Sequence, residues 1–369
     1  MTVEPVREEP VREERMATRR RDGGRARIGA VGIGWWSAHV HIPTVEAMEG
    51  ATVAALCDLE PGRLEVAGER FGIAARYTDM AEMLEREALD GVMVATPHVA
   101  HAAPAIAALE AGCHVLIEKP MATSTADARA IRDAARRAGR EVLVPTGLNF
   151  TPYTAKARDW VRAGRIGTLQ HAVCQMGSPL HDLFAGEPMA ETEGHMFRPP
   201  ASTWADPGRA GGYGWGQMSH SLAWLAHVTG LGFGTMMAMD VKSPSGVDFH
   251  DAAAARLTNG ATVSISGAST VPKHVGMYTD QKLFGTEGMI AFSNLPARLE
   301  LRRHDRDDEA VPLNDLEALY DGAAPVRLFA RLCAGEAVHN ASDAECGLRV
   351  TAALDALYRS AASGKAEEV

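Results

Sequence analysis

The chain has 369 residues, is 46% hydrophobic and 23% charged, and carries a net charge of −10. This length predicts two domains, and the composition is that of an ordinary soluble globular protein. The acidic balance and the lack of a Lys/Arg-rich stripe argue against a nucleic-acid-binding protein, and no apolar run approaches the length of a membrane span.

The cysteines predict a reducing, cytoplasmic environment. They form no C-x-x-C pair and no even framework, so we expect reduced, mostly buried thiols. They are Cys57, Cys113, Cys174, Cys333 and Cys346.

Residues 1–24 differ in composition from the rest of the chain. The run from Pro5 to Glu9 repeats at once from Pro10 to Glu14, and almost no apolar residues follow. Such a segment buries too little apolar surface to offset its ordering entropy, which predicts a disordered tail. It has no apolar h-region, so it is not a secretory signal, and Met16 is an alternative start.

A glycine-rich motif opens the first predicted domain. A strand over 25–31 leads directly into Gly32-Ile33-Gly34-Trp35-Trp36-Ser37, a G-x-G-x-x-G pattern with serine at its third position. Gly32 permits a tight turn, and Gly34 lets the backbone approach a pyrophosphate. The phosphates would rest on the first amides of the following helix.

The acidic residue that this motif requires comes about 20 residues later. A second strand over 52–57 ends at Asp58, which is placed to accept a hydrogen bond from a ribose hydroxyl. The alternative is a helix N-cap before Pro61, but the strand-end position favours the ribose.

Strands and helices then alternate. We predict helices over 61–71, 80–87, 102–111 and 125–138, and strands over 91–95, 115–117 and 142–145. This alternation predicts a doubly wound parallel sheet, which forms a dinucleotide-binding domain over 25–147.

Charged residues follow the apolar run Val115–Ile117 without a spacer. Ligands of such sheets bind outside the carboxyl ends of the strands, so Glu118 and Lys119 would lie at the mouth of a crevice, with Pro120 restricting the backbone. The alternative for Lys119 is an ordinary solvated surface charge.

The second half, 148–369, predicts an α+β domain for substrate binding and oligomerisation. A helix over 152–163 and a strand over 169–176 precede a long irregular segment, 178–210, which we interpret as a substrate lid. Trp204 would either stack on a sugar face or simply pack within that lid.

A glycine-rich run, 211–216, leads to His220 and a helix over 221–229. The alternative for His220 is a helix-start histidine bonded to the backbone.

The rest of the chain predicts a large, mostly antiparallel open sheet. Strands over 251–257 and 261–268 flank Asn259-Gly260, a hairpin signal. Further strands are predicted over 281–284, 289–292 and 298–302. A helix over 343–360 closes the chain. The open face of that sheet predicts a homodimer or homotetramer.

These motifs resemble the glucose-fructose oxidoreductase / inositol dehydrogenase / rhizopine catabolism (Gfo/Idh/MocA) family. The residues that carry the resemblance are Val31 to Gly34, Asp58, Ala95-Thr96-Pro97, the run from His101 to His114, and Glu118-Lys119-Pro120. It covers roughly 27–363 and is most specific over 28–120. In the family a similar glycine-rich run carries an aspartate four residues before a catalytic histidine; here His220 matches the histidine, but Gly216 stands at the aspartate position.

The resemblance implies a set of site residues and no metal. Catalysis would rest on Lys119 and His220, and the substrate would contact Lys119, Trp204, Tyr213, Gln217 and His220. The cofactor would contact Gly32, Ile33, Gly34, Trp35, Trp36, Ser37, Asp58, Thr96, Pro97, His98, His101, Glu118, Lys119, Pro120 and Asn149. His39 and His41 are interpreted as lining or capping residues.

The resulting prediction is an NAD(P)-dependent oxidoreductase acting on a secondary alcohol of a sugar, cyclitol or related polyol. NAD is favoured over NADP because Asp58 would repel a 2′-phosphate. Two alternatives keep the fold: an enzyme that cleaves a glycosidic bond through transient oxidation by bound NAD, and a non-catalytic cofactor-sensing regulator.

Overall fold

The computed structural model describes residues 24–313 and 320–369. The predicted tail, 1–24, lies outside the described residues except for Gly24. Within the described part no helix is long and apolar enough to cross a bilayer.

The first domain is built on a six-stranded parallel sheet. Its spatial order is β3-β2-β1-β4-β5-β6, the order of a doubly wound dinucleotide-binding fold, so the predicted architecture is confirmed. The strands are β1 (Ala26–Val31), β2 (Ala51–Cys57), β3 (Arg76–Tyr77), β4 (Gly91–Val94), β5 (His114–Ile117) and β6 (Val142–Leu143).

Helices cover both faces of this sheet. The first begins within the glycine motif and contains a π-helical turn, Ser37–His41, followed by α-helix Ile42–Glu46. Capping fixes the ends of the longest one, Thr125–Ala138, because Ser124 accepts a hydrogen bond from the Asp127 N–H and Gly139 adopts a left-handed φ of 60°. The other helices are Pro61–Phe71, Met80–Arg86 and Ala102–Glu110.

The second domain carries a nine-stranded sheet in which only the β7–β10 pair is parallel. The spatial order is β14-β13-β12-β11-β7-β10-β9-β8-β15. The strands are β7 (Leu169–Gly177), β8 (Phe233–Lys242), β9 (Asp248–Leu257), β10 (Thr262–Ala268), β11 (Tyr278–Gly285), β12 (Gly288–Asn294), β13 (Ala297–Arg303), β14 (Glu309–Val311) and β15 (Glu367–Glu368). The predicted hairpin joins β9 to β10, with Gly260 at a φ of 90°.

Three helices pack on one face of the nine-stranded sheet and form the larger core with it. They are Pro152–Arg162, Ser219–Thr229 and Ala344–Ser363. The last also contacts helix Thr125–Ala138 and so joins the domains.

Several elements were not predicted. Strand β8, with its methionines and Gly234, lacks a clear period-2 pattern, yet it pairs with β9 along its length. Helix Ala324–Cys333 packs against the parallel sheet, where Val326 and Phe329 are fully buried, so the predicted second domain contributes one helix to the first. The segment 178–210 is more regular than expected and contains short helices at His181–Ala185 and Ala201–Trp204.

Candidate active site

The glycine motif forms a cradle of the shape that a dinucleotide requires. Gly32 has a φ of 82°, and a Cβ built on it would lie 2.7 Å from the backbone of Ala95 and Thr96, so only glycine fits. A Cβ on Gly34 would meet nothing within 4 Å, which leaves the space over the loop open. The residues present therefore fit the diphosphate of a dinucleotide.

Asp58 joins the end of β2 to this loop. Its Oδ2 accepts a hydrogen bond from the Ile33 N–H at 2.6 Å, and its Oδ1 accepts one from the Glu60 N–H at 2.9 Å. The N-cap of helix Pro61–Phe71 is Glu60, so Asp58 is not the N-cap. Asp58 thus lies beside the glycine loop, where a ribose would approach it.

The loops after β4 and β5 are linked by His101. Its Nδ1 lies 2.8 Å from the Pro120 carbonyl oxygen and its Nε2 lies 2.9 Å from the Thr96 carbonyl oxygen. Burial lowers the His101 pKa, although these two carbonyls oppose the shift. Pro97 caps the short 3₁₀ turn that begins at His98. His101 therefore holds the two strand ends at the crevice.

His98 connects the first domain to the second. Its Nδ1 donates to the Ala210 carbonyl at 2.8 Å, and its ring meets Trp204 edge-on with 5.0 Å between ring centroids. Burial, together with the charge of His101, lowers the His98 pKa to about 3. His98 is therefore neutral at physiological pH.

Glu118 is a buried, ionised carboxylate. His41 Nε2 donates to its Oε1 at 2.9 Å, and the Lys119 N–H donates to its Oε2 at 3.0 Å. Burial raises the Glu118 pKa, but the His41 hydrogen bond and the Lys119 charge outweigh burial and leave the pKa below its usual value. The carboxylate therefore lies next to Lys119 with its charge retained.

The Lys119 ammonium reaches from the first domain into the second. Its Nζ donates to the Gly216 carbonyl at 2.5 Å and lies 5.4 Å from the centroid of the Trp204 ring. Burial lowers the Lys119 pKa, and the negative charge of Glu118 opposes that shift. This partly buried lysine is not an ordinary solvated surface charge.

His220 lies one turn beyond Gly216 on the same helix. It is 3% exposed, its Nδ1 has no hydrogen-bond partner in the part of the chain that is described, and its ring meets Tyr320 edge-on at 5.2 Å. Burial first, and then the charge of Lys119, hold its pKa well below the usual value. His220 is therefore a neutral imidazole within the electrostatic influence of Lys119.

Aromatic rings occupy the place of the carboxylate that the family resemblance implies at position 216. A Cβ built on Gly216 would lie 3.0 Å from the Trp204 ring and 3.3 Å from the Phe184 ring. Gly216 lies in a π-helical turn, Gly214–Met218, an irregularity that is frequent at functional sites.

Three predicted site residues lie away from Lys119 and His220 or at the edge of the space around them. Tyr213 is fully buried and donates to the Met176 carbonyl at 3.0 Å, so its hydroxyl faces the core. Gln217 accepts from the Ser178 hydroxyl at 3.3 Å. Asn149 is buried and donates to the carbonyls of Ala223 and Ala341, which places it in the interior packing of the second domain.

The remaining aromatic residues of the motif face other segments. Trp35 contacts His195 from the predicted lid, and Trp36 lies against Gly322, where an added Cβ would be 2.9 Å from its ring. Sequence reasoning missed Phe184, His195 and Tyr320, because no local motif marks them; only tertiary packing brings them to the site. Among the described residues no cluster of three or more His, Cys, Asp or Glu side chains could hold a metal.

Two family profiles match the chain. Residues 26–146 match the GFO_IDH_MocA oxidoreductase family, described as an NAD-binding Rossmann fold, and residues 154–291 match the GFO/IDH/MocA C-terminal domain.

Similar proteins with assigned activities include two dehydrogenases. D-apiose dehydrogenase of Paraburkholderia graminis is 35% identical over 158 residues, which cover 43% of this chain and 42% of that protein. D-glucoside 3-dehydrogenase of Escherichia coli is 29% identical over 181 residues, 46% of this chain and 52% of that protein. The matched region thus spans about half or less of these relatives.

Solved structures share the fold over nearly the whole chain. The WlbA dehydrogenase of Bordetella pertussis, crystallised with NADH and UDP-GlcNAcA, superposes with a TM-score of 0.74 at 23% identity and covers 94% of this chain and 98% of that one.

Proposed function

Because the chain belongs to the Gfo/Idh/MocA family of oxidoreductases, we propose that it is an NAD-dependent dehydrogenase or reductase. The substrate would be a secondary alcohol, or the matching ketone, of a sugar, cyclitol or related polyol. The observation that carries this proposal is the placement of Lys119 and His220 together beyond the carboxyl end of β5, beside the dinucleotide cradle.

The charges of these residues suit the reaction. NAD, when bound, supplies the acceptor for a hydride from the alcohol carbon. Lys119 would exchange the Gly216 carbonyl for the substrate oxygen and stabilise the negative charge that develops there. His220 is held neutral by burial, so it is ready to accept the alcohol proton as a general base.

Cofactor choice follows from Asp58. Its carboxylate is oriented by the N–H groups of Ile33 and Glu60 and would accept from a ribose hydroxyl, whereas a 2′-phosphate would meet its negative charge. This supports NAD over NADP.

The substrate class rests on the relatives and on the rings of Trp204 and Phe184 beside Gly216, which we call the aromatic wall. The relatives named above act, by their names, on D-apiose and a D-glucoside. Trp204 lies over Lys119 and offers a flat apolar surface of the kind that stacks on sugar rings. A carbohydrate-like substrate would therefore replace part of the Trp204 contact with Lys119.

The open face of the nine-stranded sheet supports a homo-oligomer. Met237, Met239 and Val241 alternate along β8 on one face and are 41%, 69% and 57% exposed. The small side chains of Ala252 and Ala254 lie opposite on β9 and are also exposed. A flat apolar face of this kind fits a second copy of the same chain.

The five cysteines are all buried and none forms a disulfide, which supports a cytoplasmic location.

The decisive experiment measures turnover of NAD and NADP with a panel of sugars, amino sugars and cyclitols. The reaction is monitored through the absorbance of NADH. Net NADH formation with one class supports the dehydrogenase. Product formed from a glycoside without net NADH indicates transient redox, and cofactor binding without any turnover across the panel indicates a regulator.

A further inference from the structure

A loop of the substrate domain reaches across to the dinucleotide cradle. We call this loop, residues 189–198, the strap. Its tip carries His195, Met196 and Phe197, and the side chains of Met196 and Phe197 pack against the core cluster of the first domain.

Hydrogen bonds and ion pairs fix the conformation of the strap. The Arg198 Nη2 donates to the Met189 carbonyl at 2.6 Å, and the Thr192 hydroxyl donates to the same carbonyl at 2.8 Å, so the two ends are tied together. Lys273 anchors the strap to its own domain, since its Nζ donates to Glu191 at 2.7 Å and to Asp182 at 2.8 Å. The tip is therefore presented on a fixed base.

One end of the tip lies on the phosphate loop. The Trp35 indole N–H donates to His195 Nδ1 at 2.8 Å, and the His195 ring stacks on His39 with 3.8 Å between centroids. An indole N–H is a donor only, so His195 Nδ1 carries no proton in this contact. Trp35 directly follows Gly34, over which the diphosphate would pass.

The other end of the tip lies near the ribose position. The Arg63 guanidinium lies 6.0 Å from the centroid of the Phe197 ring, and Arg63 Nη1 is 4.0 Å from Asp58 Oδ2. His195 thus contacts the phosphate loop, and Phe197 lies beside Arg63, the neighbour of the ribose acid Asp58. The phosphate loop and Asp58 mark the adenosine diphosphate half of the cofactor path.

We propose that the strap is the outer wall of the adenosine diphosphate half-site. His195 covers the diphosphate and Phe197 covers the adenosine ribose, so the substrate domain contributes directly to cofactor binding. This rests on the proposed use of NAD, but not on the identity of the sugar. The cofactor is then enclosed between two domains, and its release requires the Trp35–His195 contact to open.

The test measures the binding of ADP and of NADH by calorimetry, without any sugar present. His195→Ala and Phe197→Ala should each weaken both ligands by the same factor, about 3- to 10-fold, because the strap touches only the half that ADP and NADH share. His195→Gln, which keeps an acceptor for the indole N–H, should stay within about threefold of the wild type. His181→Ala, an exposed histidine outside the strap, is the matched control.

A second measurement reports on the strap itself. Cleavage of the wild-type Glu193–Gly194 bond by a glutamate-specific protease should slow at saturating ADP and should be faster in His195→Ala. Variants that melt like the wild type and bind ADP with unchanged or higher affinity would overturn the proposal. If ADP and NADH fail to bind the wild type at all, the use of NAD fails instead.

Discussion

The Lys119 Nζ donates a hydrogen bond of 2.5 Å to the carbonyl of Gly216, the residue that stands where the family resemblance implies an aspartate. This bond joins the end of β5 to the π-helical turn that leads into His220. Lys119 is thus tied to the backbone four residues before His220, in the segment that carries this second residue proposed for catalysis.

Lys119→Met should abolish most turnover while preserving the fold. Methionine retains an apolar stem of similar length but removes the charge that would stabilise the developing oxyanion. We expect turnover to fall by about 10² to 10⁴, with NADH affinity and melting temperature close to wild type. Lys365→Met, at an exposed position, is the control. Turnover within a few-fold of wild type would remove Lys119 from the mechanism.

His220→Asn should lower turnover in the same way, and the pair should not be additive. If Lys119 and His220 act as a unit, the double variant loses little more than the worse single variant. Steady-state rates of the four proteins decide this. Losses that multiply fully would show that the residues act independently.

Gly216→Asp should destabilise the protein rather than restore the family pattern. The new Cβ would meet the Trp204 and Phe184 rings at 3.0 and 3.3 Å, and overpacking of this kind costs about 1–3 kcal/mol. Thermal unfolding should show a lower melting temperature, which Trp204→Ala in the same chain partly restores. Gly62→Asp, where an added Cβ meets nothing within 4 Å, is the control. A Gly216→Asp protein as stable as wild type would contradict the aromatic wall.

Asp58→Ser should relax the choice between cofactors. The substitution removes the negative charge that opposes a 2′-phosphate and leaves Arg63, now 4.0 Å from the carboxylate, able to approach it. We expect NADH affinity to fall about tenfold and the ratio of NADPH to NADH affinity to rise. Fluorescence titrations measure both, with Glu60→Gln as the control for charge alone. Wild-type protein that binds NADPH as tightly as NADH would refute the NAD preference.

His98→Gln should reduce the amount of folding stability that is lost at acidic pH. The His98 pKa is about 3 in the folded protein, below the ordinary 6.5, so between these pH values the unfolded chain binds the extra proton and the folded protein does not. Stability therefore falls as pH decreases through this window. From pH 6.5 to 4.5 the wild type should lose about 2 kcal/mol more than the variant. Urea unfolding at both pH values tests this, and equal losses would show that His98 does not contribute.

Met239→Glu should dissociate the proposed oligomer. Met239 is the most exposed residue of the apolar face on β8, and a buried charge without a partner opposes association. Sedimentation velocity should show a smaller species than wild type. Val66→Glu, on an exposed helix position of the other domain, should not change the assembly. A wild-type monomer would refute the interface.

Local patterns in the sequence determined the nucleotide half of this protein. The strand, the glycine motif and the acid at the end of the next strand lie within about 30 residues, and strict alternation of strand and helix allows one familiar sheet order. The position of Lys119 at the crevice could be predicted for the same reason, because strand ends in such a sheet meet at one edge. The family assignment and the fold class, a parallel sheet followed by a mostly antiparallel one, are confirmed.

Only the tertiary structure decided what surrounds those residues. Trp204 and Phe184 fill the space beside Gly216, His195 meets Trp35 across 160 positions of sequence, and Tyr213 turns into the core. Helix Ala324–Cys333 likewise returns to the first domain without any local signal. Periodicity and motifs report contacts along one element, whereas these contacts join elements far apart in sequence, some within the second domain and some between the two domains. No short stretch of sequence encodes that packing.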